Sequence, residues 1–191
     1  MNTYDFDKTI FYPDSSYCFY VYCLKHYPSA MLKTLPRSVI SGLCYAAGMK
    51  NAKALKQQLF SYLARLPDVD EAVRGFWEEN RHRLAKWYLR QKRGDDVIIS
   101  ASPEFLLKPI CDELGVRLIG TRMDKHTGQI EGENCHDREK VRRFYEQFPG
   151  AVTEAFYSDS LSDSPMAEIA REAYLVEKEN VKPWPSKYFT V

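Results

Sequence analysis

The sequence predicts an α/β fold, a parallel sheet sandwiched between helices with an all-helical domain inserted near its start, on three observations. Short apolar segments that end in polar residues alternate with helix-length segments over the C-terminal half. From about Ser15 to Leu89 only helix-like periodicity is found. The charged passage Gln91-Lys92-Arg93-Gly94-Asp95 separates these two regions. The expected division is therefore residues 1–14 and 91–191 for an α/β core and residues 15–90 for a helical cap.

Asn2 to Phe6 is short and followed by a polar turn, which fits a strand whose C-terminal end delivers Asp5 and Asp7 into a loop. Within the helical block, Pro28, Pro36 and Pro67 are breaks, and Asp68 and Asp70 are candidate N-caps. Val97-Ile98-Ile99 reads as a buried strand ending at Ser100, with Pro103 starting a helix to about Leu114 and Gly115 stopping it. Val116 to Gly120 is a second such strand, and Thr121 to Gly132 a hairpin excursion around Thr127-Gly128. His136 to Phe148 is expected to be helical, Ala155 to Tyr157 a strand, Pro165 to Arg171 a helix and Ala173 to Val176 a strand. Ligands in such open sheets bind beyond the carboxyl ends of the strands.

Composition narrows the function classes. With 27 Lys and Arg against 26 Asp and Glu, no bulk field recruits nucleic acid, and no nucleic-acid partner is expected. Five cysteines, an odd number in a chain long enough to fold without staples, read as reduced thiols. The opening MNTYDFDKTI lacks the pattern of a secretory signal, so a cytoplasmic location is expected. The most apolar stretch, Ser38 to Met49, falls short of the roughly 20 residues a spanning helix needs. A phosphate loop of the G-x-x-x-x-G-K-[ST] type is absent, Cys18, Cys23 and His26 lack a fourth ligand for a structural zinc, and His82, His126 and His136 have no nucleophile signature nearby.

Four small groups of residues carry the chemistry. Asp5 and Asp7, two residues apart, could divide nucleophilic attack and proton transfer if they share a face; equally, they could be solvated acids on a surface strand. Ser100 ends an apolar strand just before a helix whose N-terminal amides would favour phosphate oxygens, while Ser102 reads first as a cap of that helix. Lys140 belongs to a basic helical run that is ordinarily a solvated face; it becomes functional only if its turn faces the strand ends. Asp159 and Asp163 form a second acid pair after a strand, suited to a hard cation such as Mg2+ or, standing alone, to an ordinary polar turn.

Taken in this order, the four groups resemble the haloacid-dehalogenase superfamily. The family's D-x-D-x-T falls on Asp5, Asp7 and Thr9, its strand-end serine on Ser100, its lysine on Lys140, and its final acid pair on Asp159 and Asp163. The resemblance implies a Rossmann-like core, Mg2+ as cofactor and hydrolysis of a small phosphorylated substrate. Asp5 would be nucleophile and metal ligand, Asp7 general acid/base and metal ligand through its carbonyl, and Asp159 a further ligand. Ser100 and Lys140 would hold the phosphoryl group, Thr9 would brace the loop, and Asp163 would orient Lys140 or a metal-bound water. A helical insert between the first and second motifs is similar to that of the phosphoserine-phosphatase-like subgroup, where Asp14 lies near a substrate-facing acid. The form Ser100-Ala101-Ser102-Pro103, with Ser158-Asp159 and a Tyr/Phe-rich cap, resembles the phosphatidylglycerophosphatase C-like branch and opens a lipid-phosphate alternative. Met31 to Ile40, amphipathic and mildly basic, fits a peripheral membrane contact or a packed helix. Two rivals remain, a sugar-transferring enzyme binding a metal-nucleotide and a non-catalytic phosphate-binding module.

Overall fold

In the computed structural model Thr3–Tyr4 forms a two-residue strand, β1, with both faces buried and both edges paired. Thr3 lies beside Val97 and Phe156, and Tyr4 beside Ile98 and Tyr157, each in parallel register. These neighbours belong to β2 (Val97–Pro103) and β4 (Thr153–Ser158). Outside them run β3 (Arg117–Thr121) and β5 (Ala170–Glu177), and the order is β3-β2-β1-β4-β5, closed by the antiparallel strand β6 (Asn180–Pro183). The chain therefore steps outward from β1 on one side and returns to its other side at β4. That reversal leaves a crevice at the carboxyl end of β1, which is where an open α/β sheet binds its ligand. The structure describes residues 1–46, 48 and 51–185, without the side chains of 35–39.

Alternation along the strands divides the core between two faces. On β2, Ile98 joins a cluster with Tyr4 and Phe6, while Val97 and Ile99 join another with Ile119, Phe144 and Phe156. The first face is covered by α1 (Ser15–His26), α5 (Val69–Asn80), α6 (Lys86–Gln91) and α7 (Glu104–Leu114). Between α1 and α5 run α2 (Pro28–Leu32), α3 (Leu35–Ala46), α4 (Ala52–Leu59) and a 3₁₀ segment, Phe60–Arg65. The second face is covered by α8 (Arg138–Gln147) and α9 (Ser164–Glu168). Trp77 of α5 donates its indole N–H to the Leu106 carbonyl of α7 at 2.7 Å, so the later helices of the 15–90 stretch pack directly into the core.

The expected α/β architecture is present, and several boundaries move. β2 does not end at Ser100: it continues to Pro103 through a register irregularity after Ile99, a bulge that re-aims the Ser100–Ser102 segment. Helix α7 starts at Glu104, with Pro103 as an N-cap that makes no side-chain bond. Gly115 ends that helix in the left-handed region, φ 69°, as a glycine stop requires. The helix expected to reach Arg171 stops at Glu168, because the chain from Ala170 pairs with β4. β6 escapes sequence reading because an edge strand half in water carries no apolar run. Asp68 caps α5, accepting from the Glu71 amide at 2.9 Å, whereas Asp70 lies in its first turn. All five cysteines are free, and no described helix is long and apolar enough to cross a membrane. The Met31 to Ile40 segment spans α2 and α3, and its residues 35–39 lie outside the described side chains.

Candidate active site

β1 ends at Tyr4, and the next four residues form a tight loop. The Phe6 carbonyl accepts from the amides of Ile10 and Phe11, and Lys8 adopts a left-handed φ of 60°. A non-glycine residue there is strained and is held by its surroundings, here by the Phe11 and Pro13 carbonyls that accept from its amide. Phe6 is fully buried, which anchors the loop and turns Asp5 and Asp7 into the crevice.

Asp5 is buried and meets Lys140, whose Nζ donates to Asp5 Oδ1 at 2.6 Å and to Asp163 Oδ2 at 2.7 Å. Asp163 Oδ2 also accepts from Ser158 Oγ at 2.7 Å. Thr9, fully buried, donates to Asp5 Oδ2 at 3.2 Å and accepts from the Asp159 amide at 2.9 Å, tying the β1 loop to the end of β4. Lys140, on a run whose pattern suggests a solvated face, is thus 2% exposed at the centre of the site. Two carboxylates outweigh burial and hold its pKa above the ordinary lysine value. Burial pushes Asp5 up to about 7, against the pull of Lys140 and with repulsion from Asp163 added.

Asp7 faces the other way. Its Oδ1 accepts from the Ser15 amide at 2.6 Å, at the start of α1, and its Oδ2 from Ser102 Oγ at 2.5 Å. Burial raises Asp7 to about 6, Asp14 adds repulsion, and the Ser102 and Ser15 bonds oppose the rise. Ser102 therefore does not cap α7; its hydroxyl is spent on Asp7 and lies within 3.1 Å of Ser15 Oγ and 2.9 Å of Ser16 Oγ. Ser100 is buried and accepts from the Ser102 amide at 3.0 Å. Asp14 caps α1, accepting from the Tyr17 amide at 2.8 Å, and lines the cavity beyond Asp7.

That cavity has a volume of about 600 Å³. Asp7, Asp14, Ser16, Ala101 and Ser102 form its polar side, and its wall is Tyr17, Tyr20, Leu59, Phe60 and Tyr62, with Lys56 as its one cation among the described residues. Lys56 Nζ donates to the Ala101 carbonyl and to Asn134 Oδ1 at 3.0 Å. Burial lowers its pKa to about 8, against the pull of Asp7 and Asp14. Asn134 Oδ1 also accepts from Thr121 Oγ1 at 3.0 Å, so the hairpin excursion and α4 meet over the serine segment. Arg143, 2% exposed, secures the ends of that excursion by donating to the carbonyls of Gly120 and Glu133, with Glu139 as its counter-ion. Sequence reading missed Lys56, Asn134 and Arg143, and gave Ser158 no role beside Asp163. Each carries an ordinary surface signal along the chain, and only its burial against distant residues marks it.

Asp7 joins the polar side of the cavity to the acids at the strand ends, the floor of the site, where Asp5, Asp159 and Asp163 lie in the neighbourhood of Lys140 and Lys8 also acts on Asp159. Asp159 is half-buried, burial raises its pKa, and no described side chain donates a hydrogen bond to its carboxylate. Among the described residues no three His, Cys, Asp or Glu side chains are grouped so that they could hold a metal ion by themselves. One or two carboxylates, with backbone, water and phosphate oxygens completing the shell, is the set that Mg2+ ordinarily takes, and the excess negative charge favours a cation. The donors present thus fit Mg2+.

Residues 3–168 match the sequence model of the haloacid dehalogenase-like hydrolases. The chain is 30% identical over 184 residues to the protein CicA of Caulobacter vibrioides, covering 88% of this chain and 82% of that one. A protein of unknown function from Bordetella pertussis Tohama I has a similar structure, with a TM-score of 0.75 at 22% identity over 91% of this chain and 87% of that one. A phosphoserine phosphatase in the form of a phospho-aspartyl intermediate analogue gives 0.58 at 15% identity, covering 90% and 83%. At these identities the structural likeness is one of fold.

Proposed function

The chain belongs to the haloacid dehalogenase-like hydrolases, and from that premise we propose that it is a magnesium-dependent phosphomonoester phosphatase acting through an aspartyl-phosphate on Asp5. The observation that carries this reading is the buried pairing of Asp5 with Lys140, itself held by Asp163 and Ser158. A carboxylate so placed at a strand end is fixed in direction, and the ammonium beside it answers charge on an incoming phosphoryl group. The phospho-aspartyl form of a protein with the same fold supports the same step here.

In the first half-reaction an Asp5 carboxylate oxygen bonds to phosphorus while the bond from phosphorus to the substrate alcohol oxygen breaks. Asp7, protonated, gives its proton to that leaving oxygen. In the second half Asp7, now a carboxylate, takes a proton from a water molecule that attacks the phosphorus, releasing inorganic phosphate and restoring Asp5. The pKa of about 6 that burial gives Asp7 suits both directions near neutrality. Ser102 and the Ser15 amide orient Asp7, while Ser100 and Lys140 hold phosphoryl oxygens. Mg2+ held by Asp5, the Asp7 carbonyl and Asp159 would neutralise phosphoryl charge and align it with the nucleophile. Within residues 15–90, the side chains of α1, α4 and the 3₁₀ segment that line the cavity serve as the cap that selects the alcohol, while α5 and α6 pack against the sheet.

A second reading of the substrate rests on the cavity wall. Five apolar or aromatic side chains facing about 600 Å³ fit an alcohol with an apolar body, and a lipid phosphate is the instance this favours over a bare small phosphate. The test is Mg2+-dependent phosphate release from p-nitrophenyl phosphate, phosphoserine, sugar phosphates and phosphatidylglycerophosphate, with Asp5→Asn beside wild type. Release by wild type alone is the expected result, and the preferred substrate decides between the two readings. A wild-type chain that binds phosphate but releases none from any of these would instead be a binding module.

A further inference from the structure

We propose that the cap face around the mouth of the cavity docks on an anionic lipid surface. The net charge of +1 conceals a segregation: seven of the 27 Lys and Arg, and none of the 26 Asp and Glu, lie between Asp14 and Asp68. This stretch therefore carries a formal +7 and the rest of the chain −6. The same stretch holds eight of the twelve large hydrophobic side chains exposed among the described residues. Among its described cations Lys25 is answered by Glu79, Lys53 by Glu133, and Lys56 lies in the cavity, so Lys33 and Arg65 are the ones that meet water without a carboxylate.

Their placement is regular. Tyr17, Val21 and Leu24 follow each other at helical spacing along α1 and form one exposed stripe, with Tyr17 64% exposed. Ile40 and Leu43, one turn apart on α3, are 60% and 67% exposed. Lys33 and Arg65 face a shared surface depression with Gln58 and Ser61, and neither joins an ion pair among the described residues. Leu32, next to Lys33, is exposed as well. Tyr17 and Leu59 are at once exposed and part of the cavity wall, so the apolar surface reaches the entrance.

Aliphatic side chains in water find no partner on a nucleic-acid backbone, whereas an interfacial helix buries them at the acyl boundary while lysine and arginine meet anionic headgroups. Charge complementarity and the exposed Val, Leu and Ile residues therefore point to lipid. Docking does not require hydrolysis. If the cavity admits the substrate, as proposed above, docking opens its mouth onto the membrane.

The experiment is co-sedimentation of the full chain with vesicles of phosphatidylcholine alone or mixed with phosphatidylglycerol. Partitioning about tenfold stronger onto the anionic vesicles is expected, weakening as added salt shortens the Debye length. The pairs Lys33→Glu with Arg65→Glu and Ile40→Ser with Leu43→Ser should each lower it about tenfold, with circular dichroism and p-nitrophenyl phosphate hydrolysis unchanged. Equal partitioning onto both vesicles, or variants that bind like wild type, would overturn the proposal. So would binding to duplex DNA or RNA by a chain that ignores anionic vesicles. Hydrolysis is read separately: binding without hydrolysis removes the phosphatase reading and leaves docking, and hydrolysis without binding does the reverse.

Discussion

The floor of the site, at the strand ends, and the wall of the cavity beside it are built by opposite rules. On the floor, Asp5, Lys140, Asp163 and Ser158 are buried and joined by hydrogen bonds of 2.6–2.7 Å, each group answering another. On the wall, aromatic and aliphatic side chains surround one cation, Lys56, which has neutral acceptors only. The floor is set by the segments after β1 and β4 together with Lys140 of α8, and cannot vary without losing its charge balance. The wall is drawn mostly from helices α1 and α4 and the segment after α4, and its apolar side chains can change without removing a hydrogen bond of the Asp5–Lys140–Asp163 cluster. Substitutions on the floor should therefore act on kcat and on folding, and substitutions on the wall on KM.

The largest effect should come from Lys140→Met. Removing the ammonium leaves two buried carboxylates unpaired, which lowers kcat on the order of 10²–10³-fold and costs about 3–5 kcal/mol in urea denaturation at pH 8. A variant as stable as wild type would mean the floor is more hydrated than its burial indicates. Ser102→Ala should lower kcat about tenfold with KM nearly constant, since the hydroxyl touches Asp7 and steadies its carboxylate. A change in KM alone would move Ser102 from floor to wall.

Lys56→Met is the sharpest test of the wall. It should raise KM about tenfold for substrates whose alcohol carries a negative charge, and leave p-nitrophenyl phosphate within about twofold. An equal loss of kcat on both would make Lys56 part of the floor. The smallest effect is on stability. Asp7 holds its proton to about pH 6 in the native state, above the ordinary carboxylate value, so the folded chain binds more protons than the unfolded one from about pH 4 to 6. Its contribution favours folding at low pH and is lost as pH rises through 6. Asp7→Asn, although inactive, should thus match wild type near pH 4 and exceed it at pH 8 by on the order of 1 kcal/mol, because the cavity screens part of the penalty. Urea midpoints at the two pH values measure this, and an Asn variant less stable at pH 8 would show that its bonds to Ser15 and Ser102 outweigh desolvation.

Much of the fold was legible because its signals are local. Val97-Ile98-Ile99 reads as a buried strand, Asp68 as a cap and Gly115 as a stop from a few neighbouring residues, and each takes that part. β6 and the true end of α9 were not legible, since both depend on pairing with strands formed elsewhere in the chain. At the site, Asp5, Asp7, Ser100, Lys140 and the Asp159/Asp163 pair each had a structural alternative on spacing alone, and the resemblance of their order to the haloacid-dehalogenase motifs singled them out. Spacing misjudged Ser102, whose hydroxyl looks toward Asp7, 95 residues earlier, and not toward its own helix.

By itself the sequence determined the alternation of strands and helices, the order of the acidic, serine and lysine motifs, and the segregation of positive charge between Asp14 and Asp68. These are properties of local pattern and composition, which need no knowledge of what lies opposite. Only the tertiary structure decided that Lys140 and Arg143 are buried, that Lys56 enters the cavity, and that Asp163 is bound to Lys140 and Ser158. Whether a lysine is a solvated charge or the centre of a site depends on burial and on partners such as Asp5, 135 residues from Lys140, and neither is written in the sequence around it.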